Sequence, residues 1–427
     1  MLRRWRWLVV VSLICGVLIG LWRGTSERTA LQTISRYYGH GLQINGVVSE
    51  DPTVGAHGDQ RLQLRDITIM GQPVQGTVWV SLVKPATIKR GDIVALRGVL
   101  AEGFGTIPAS MYRAQLLRIT HPMPGDIARR VRDWFTAGIS RGIPSPEAAL
   151  GIGYLTGQKS ALPQEFEDQL RDVGLTHAVV ASGYNVTILV SLTRQALRSA
   201  SKYLATIAAC VLMSGFMLVT GFSPSMTRAG IVSGLSLWAW YYGRTIHPFV
   251  LLALTGSLTV LVNPSYAWGD LGWCLSFAAF VGVMIVGPLL ERYFWGNQKP
   301  GMLMQTIIET IAAELCTLPI ILLAFGHFAV YGLLANVLVV PLIPCTMACT
   351  FVTGISGLCA PGIAHVVGWP ATTILHYMMS VVERIASIPQ AVMTVHYGWP
   401  QLVVSYGVVA LLCLYLKRKT RHHFKNS

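Results

Sequence analysis

From residue 178 onward the chain passes through apolar runs of nearly membrane-crossing length, set close together: 178–197, 203–221, 226–243, 248–263, 271–290, 303–324, 328–344, 345–360 and 400–416. A helix needs ~20 apolar residues to cross a hydrocarbon core, and its backbone must satisfy its own polar groups there. Another run, 8–22, follows the basic head Arg3, Arg4 and Arg6. Together these predict about ten crossings, an even number that puts both termini on one side of the membrane. Composition agrees. The chain is 52% hydrophobic and 12% charged, whereas a soluble domain is roughly 25% charged. The class read from this is a polytopic α-helical membrane protein. Several runs are short and carry Gly or Pro, so tilted, broken or re-entrant segments are expected among them.

The formal net charge is +14, and much of it reports topology. Positive flanks stay in the cytoplasm, so Arg3–Arg6 and the 417–427 tail place both termini there. Arg194, Arg198, Lys202, Arg244, Arg292 and Lys299 fall on the same side, and residues 39–176 fall outside. Arg228 runs against this bias, at an external mouth. The 8–22 run lacks a clear small-residue cleavage site and is flanked by Trp5, Trp7 and Trp22, so it reads as an uncleaved first span rather than a signal peptide. Residues 362–387, with His365, His376, Glu383 and Arg384, read as an external amphipathic helix rather than a span. These assignments imply a multi-pass protein of the inner, cytoplasmic membrane. The eight cysteines lie in or beside apolar runs with no CxxC pair. They indicate neither a metal ribbon nor a disulfide framework.

Residues 1–38 form the first span and its linker. Residues 39–122 have a different pattern. Five period-2 segments, around 42–48, 61–69, 76–82, 92–100 and 112–119, are separated by Gly, Pro, Asp and Lys. Alternation with such punctuation predicts antiparallel strands, and five of them predict an N-terminal extracytoplasmic OB-like β-barrel. OB barrels commonly bind single strands through a basic groove with aromatic platforms. Trp79, Phe104 and Tyr112 are the aromatics available, and support of the membrane part alone is an equal reading. Residues 123–176 read as an amphipathic helix and linker, with Ile127, Val131, Trp134, Phe135 and Ile139 on one face. That helix lies on the membrane surface or packs on the domain. Residues 177–416 form the multi-span membrane domain.

Most familiar catalytic motifs fail on spacing. Gly153-Tyr154-Leu155-Thr156-Gly157-Gln158-Lys159-Ser160 looks like a P-loop, but Gln158 separates the lysine from the glycine. Gly151-Ile152-Gly153 lacks the third glycine of a dinucleotide fingerprint. There is no H-E-x-x-H pair. The Asn185-Val186-Thr187 sequon lies in a run too apolar for glycosylation. His422-His423 belongs to the basic tail. No enzyme activity, cofactor or metal site is read from the chain. The polar residues inside the spans are more informative, because they are costly in lipid and face protein or water. The transport-pathway candidates are His177, Ser182, Gly183, Tyr184, Asn185, Arg228, Asn263, Glu309, Glu314 and Asn336. His177, Ser182 and Asn185 are spaced to share a helix face.

These residues carry a resemblance. Gly174-Leu175-Thr176-His177-Ala178-Val179-Val180-Ala181-Ser182-Gly183-Tyr184-Asn185-Val186 is similar to the signature of the ComEC-type competence channel family. Gly157-Gln158-Lys159-Ser160-Ala161-Leu162-Pro163 and Gly221-Phe222-Ser223-Pro224-Ser225-Met226-Thr227-Arg228-Ala229 resemble two further segments. Asn263-Pro264, Gly272 to Phe277, Leu318-Pro319, Gly332 to Asn336 and Pro341 follow in the family's order. The likeness runs from about residue 40 to 345. Two departures stand out. Asn185 replaces the family's usual histidine, which puts a protonatable role there in doubt and keeps a hydrogen-bonding one. Many family members carry a C-terminal metallo-β-lactamase-like domain that is not expected here, so a strand-degrading nuclease is expected to come from elsewhere or the barrel to have a further activity.

The resemblance implies a channel importing single-stranded DNA during natural transformation. It also implies a helix-hairpin-helix DNA receptor and a cytoplasmic ATPase or helicase as partners, with membrane lipid around the spans. Self-association into a homo-oligomer is left open. A transporter of a small or lipid-linked anionic solute, coupled to an ion through Glu309 or Glu314, is the competing class. A non-transporting assembly scaffold is the third.

Overall fold

The computed structural model describes residues 34–420 except 55–58, 75, 85, 104–106, 123–125, 159–161, 176–182, 222–223, 245, 263–265, 267–269, 297, 299 and 390. It also describes residues 11, 14, 18 and 22. The amino-terminal region is a barrel of β1 (Gly41–Val48), β2 (Thr53–Val54), β3 (Gln60–Ile69), β4 (Gln72–Val74), β5 (Val78–Leu82), β6 (Ile93–Glu102) and β7 (Ala109–Thr120). The five long strands pair in the closed order β1-β3-β5-β7-β6-β1, with β5 and β7 parallel. This is the OB-like barrel expected, and each of the five alternating segments supplies one strand. Alternation works because successive side chains point to opposite faces. Ile44, Leu64, Leu96 and Met111 are all 0% exposed and fill the interior. Met70 and Gly71 both take positive φ in the two-residue β3–β4 turn, a geometry whose twist suits a hairpin. β7 carries an extra residue at Tyr112–Arg113, where Arg113 adopts φ 53°. A bulge there bends the strand and turns Tyr112 outward.

The helical part opens with α1 (Ile127–Gly142), α2 (Glu147–Thr156) and α3 (Gln164–Asp172). It continues through α4 (Gly183–Leu197), α5 (Lys202–Thr220), α6 (Pro224–Tyr241) and α7 (Pro248–Val262). Next, α8 (Leu271–Val281) passes through one π-turn into α9 (Gly287–Trp295), followed by α10 (Met302–Phe325). Last come α11 (Gly332–Val339), α12 (Ile343–Cys359), α13 (Ala364–Ala386) and α14 (Trp399–Thr420). A short antiparallel pair, β8 (His327–Ala329) with β9 (Val392–Thr394), joins the α10–α11 connection to the segment before α14.

Five helical stretches are long and apolar enough to cross a membrane among the described residues: Lys202–Thr220, Leu271–Trp295, Met304–Phe325, Gly332–Cys359 and Trp399–Thr420. One part of the expected series is corrected by this. The runs 328–344 and 345–360 are one continuous stretch. Pro341 and Pro344 interrupt its ladder only as far as a 3-10 turn at Val340–Leu342, and nothing there reverses the chain. Its beginning is also shorter than expected, because residues 327–329 are extended and paired with β9. α4 and α7 each border residues outside the described ones. The 8–22 run lies largely outside the described residues. The 362–387 segment is helical, as α13, and packs on α1, α2, α3 and α12.

Residues 123–176 are more than a linker. α1, α2 and α3 join α11, α12 and α13 in one hydrophobic core containing Ile139, Tyr154, Leu170, Val339, Met347 and Leu375. α1 meets α12 at backbone contact: a Cβ on Gly357 would lie 2.0 Å from the Gly138 carbonyl oxygen. Phe135 and Ile139 of α1 turn toward that contact, whereas Ile127, Val131 and Trp134 remain exposed. The helix therefore both packs on the domain and keeps part of its apolar face outward.

Candidate functional site: two polar nodes flanking a signature segment

The first node is built at the start of α4. The Gly183 N–H donates to Ser225 Oγ of α6 at 3.2 Å. A Cβ on Gly183 would sit 2.8 Å from Ala229 Cβ and 2.9 Å from the Ser225 carbonyl oxygen, so only glycine permits this crossing. The same position is 3.2 Å from Arg228 Nη2. Arg228 donates through Nε to Ser276 Oγ of α8, and its guanidinium lies 5.4 Å from the Phe280 ring centroid. No carboxylate pairs with Arg228 among the described residues. Among the described residues, a cation without a carboxylate partner thus stands beside Gly183 of α4.

Asn185, two residues along α4, is 0% exposed. Its Nδ2 donates to the Tyr154 carbonyl oxygen of α2 at 3.0 Å, and its Oδ1 has no partner. It ties α4 to the core around α2 rather than facing an open space. Thr187 returns its hydroxyl to the Gly183 carbonyl within α4.

The second node lies between α10 and α11. Glu314 has one buried carboxyl oxygen, Oε2, without a partner. The Asn336 amide lies next to the Glu314 carboxyl, and Asn336 Oδ1 is likewise buried and unpartnered. Gly332 opens α11 here: a Cβ on it would lie 3.6 Å from Glu314 Oε1 and 3.4 Å from the Val173 carbonyl oxygen. Gly174 follows with φ 77° against Ala329. Glu309 is placed apart from this node and accepts from Gln305 Nε2 at 2.9 Å.

The two nodes therefore hold the two ends of one segment. Val173–Gly174 lies at the second and Gly183 at the first, with residues 176–182 between them in the chain. His177, Ser182 and Asn263 lie outside the described residues, as does the Tyr184 side chain. Among the expected pathway residues, the structure brings Gly183 together with Arg228 and Glu314 together with Asn336. Ser225 and Ser276, the partners of the first node, were not singled out. Their signal was present, since each lies inside a quoted family segment.

The barrel offers a separate surface. Trp79 and Tyr112 lie with ring centroids 5.4 Å apart, and the Arg61 guanidinium is 5.8 Å from the Trp79 ring. Arg61 also pairs with Asp59 at 3.0 Å, and this bond pulls the Asp59 carboxyl below its ordinary range. Three ion pairs fasten the barrel to the α1 segment. Arg132, 3% exposed at its side chain, grips Asp51 with both terminal nitrogens. Arg129 faces Asp92 at 3.8 Å, and Arg90 meets Asp126 at 2.8 Å. Asp126 also caps α1 by accepting from the Arg129 N–H. Burial alone would raise the Asp126 carboxyl, but these partners outweigh it and hold it below its usual value. Arg90 further donates to the Val219 carbonyl oxygen near the end of α5, at 3.1 Å.

An OB-like barrel locked to a helical region with five membrane-length apolar stretches among the described residues defines a polytopic membrane protein with an N-terminal barrel. A family model described as Competence protein matches residues 154–420, and the chain belongs to that family. It is similar to ComE operon protein 3 of Bacillus subtilis (strain 168), 24% identical over 201 residues. That match spans 47% of this chain and 25% of the relative, so the chain covers about a quarter of the relative's length. No solved structure matches.

Proposed function

We propose that the protein conducts single-stranded DNA across the cytoplasmic membrane during natural transformation. Membership in the competence family supports a role in DNA uptake. The observation that carries the finer reading is Arg228, a cation beside Gly183 of α4 that has no carboxylate partner among the described residues. A phosphodiester passing there meets a guanidinium able to donate charge-assisted hydrogen bonds. The grip has to stay weak, because a site that traps the strand does not conduct it. Trp79, Tyr112 and Arg61 on the barrel supply stacking surfaces and charge for an arriving strand. The barrel faces outside and both termini face the cytoplasm, where an ATPase or helicase supplies the pull. A helix-hairpin-helix receptor delivers the strand. The reading requires no bond-breaking step in this chain.

The test is entry of labelled DNA into the cytoplasm, scored separately from surface binding. Arg228→Ala is expected to lower entry by about tenfold or more, the effect of losing one charge-assisted contact. Surface binding should be kept, and Arg228→Lys should restore part of the entry. Unchanged entry in Arg228→Ala at normal protein level overturns the DNA reading. The buried Glu314–Asn336 node favours a second reading, an ion-coupled transporter of a small or lipid-linked anion. It then predicts that Glu314→Gln, and not Arg228→Lys, abolishes transport.

A further inference from the structure

We propose that the cavity between the ends of α9 and α14 binds the headgroup of an anionic phospholipid. The cavity measures ≈ 680 Å³, opens outward, and is lined by Arg292, Tyr293, Gly296, Lys419 and Thr420. Lys419 does not swing freely. Its Nζ donates to the Tyr293 and Tyr415 hydroxyls at 3.3 Å each, and lies 4.9 Å and 5.7 Å from their ring centroids. A phenol that accepts from an ammonium still has its own proton to donate. The Tyr293 hydroxyl and the ammonium therefore present donors to one space, and Arg292 adds a second cation to its wall. No carboxylate pairs with Lys419 among the described residues. Convergent donors with positive charge fit a phosphodiester.

Position selects lipid as the source of that phosphate. α14 is a peripheral span, with only 6% of its apolar window buried in the protein. Tyr293, Phe294 and Trp295 end α9 in an edge-to-face series, and Phe294 is 66% exposed. Aromatic clusters of this kind mark headgroup depth, and basic pockets between spans at that depth take anionic lipid heads. The cavity lies away from both polar nodes, so this inference stands whether the transported substrate is DNA or a small anion.

The experiment uses the full-length protein in nanodiscs of phosphatidylcholine with increasing phosphatidylglycerol. Lipid retained after gentle release is counted by native mass spectrometry. Wild type is expected to retain phosphatidylglycerol over phosphatidylcholine. The Lys419→Gln/Tyr293→Phe variant should lose that preference by about fivefold, the effect of one basic side chain near a membrane surface. Lys419→Arg should keep it. Inorganic phosphate alone should neither bind nor compete at millimolar concentration. Equal retention by wild type and the double variant overturns the proposal, as does retention of phosphatidylcholine to the same degree. Full competition by inorganic phosphate overturns it too, in favour of a soluble phosphate site.

Discussion

Asn185 uses half of its amide. The Nδ2 bond to Tyr154 joins α4 to α2 across a fully buried contact, while Oδ1 faces no donor. Asn185→Ala removes a net hydrogen bond worth about 1 kcal/mol. The expected result is a lower melting temperature in detergent with uptake reduced only in proportion to folded protein. Asn185→Asp buries a charge with no partner for it among the described residues, and should cost several-fold more than the alanine variant in the same assay. Reversal of that order would show that the site is open to water. The polar candidates were legible in the sequence because such residues are conspicuous in apolar runs. Their roles were not: spacing along one helix cannot tell that Asn185 turns to α2 while Gly183 and Arg228 meet α6 and α8.

α1 shows why periodicity gave only part of its role. Its apolar face was visible in the sequence, but the Gly138–Gly357 contact depends on a helix more than two hundred residues away in the chain. Gly357→Ala would drive a methyl into the Gly138 carbonyl and is expected to destabilise by about 3 kcal/mol, read as a fall in melting temperature. Gly362→Ala, with nothing within 4 Å of its Cβ, is the matched control. The other end of α1 titrates. Asp126 has a depressed carboxyl pKa in the folded protein, so its contribution is present above the ordinary carboxylate value and is lost as pH falls through the lower, folded value. Protease cleavage between barrel and α1 should therefore rise only below about pH 4. Asp126→Asn should flatten that rise, and cleavage that climbs between neutral pH and mild acid would contradict it. The barrel strands, by contrast, were legible almost residue by residue, because period-2 alternation is local. The span boundaries were not, since Pro341 and Pro344 read as breaks and the chain passes through them as one helical stretch.

Arg90 fixes the barrel at the Val219 end of α5, while Lys202 begins the same helix at the opposite end. There Arg194 and Lys202 lie 5.4 Å and 6.0 Å from the Trp240 ring, a basic and aromatic pairing of the kind found at a membrane boundary. The barrel and Arg198 are then expected on opposite sides. A membrane-impermeant thiol reagent should label Met70→Cys, at an exposed turn, in intact cells and label Arg198→Cys only after permeabilisation. The converse pattern would invert the topology. The filled barrel interior has a further consequence for anything long that travels inward. Ile44, Leu64, Leu96 and Met111 leave no bore, and the closed order of the five long strands leaves only the short β2 and β4 with an open edge. The barrel is a post and not a sleeve, so a polymer must run alongside it, and the clamps to α1 and α5 dictate from which flank it arrives.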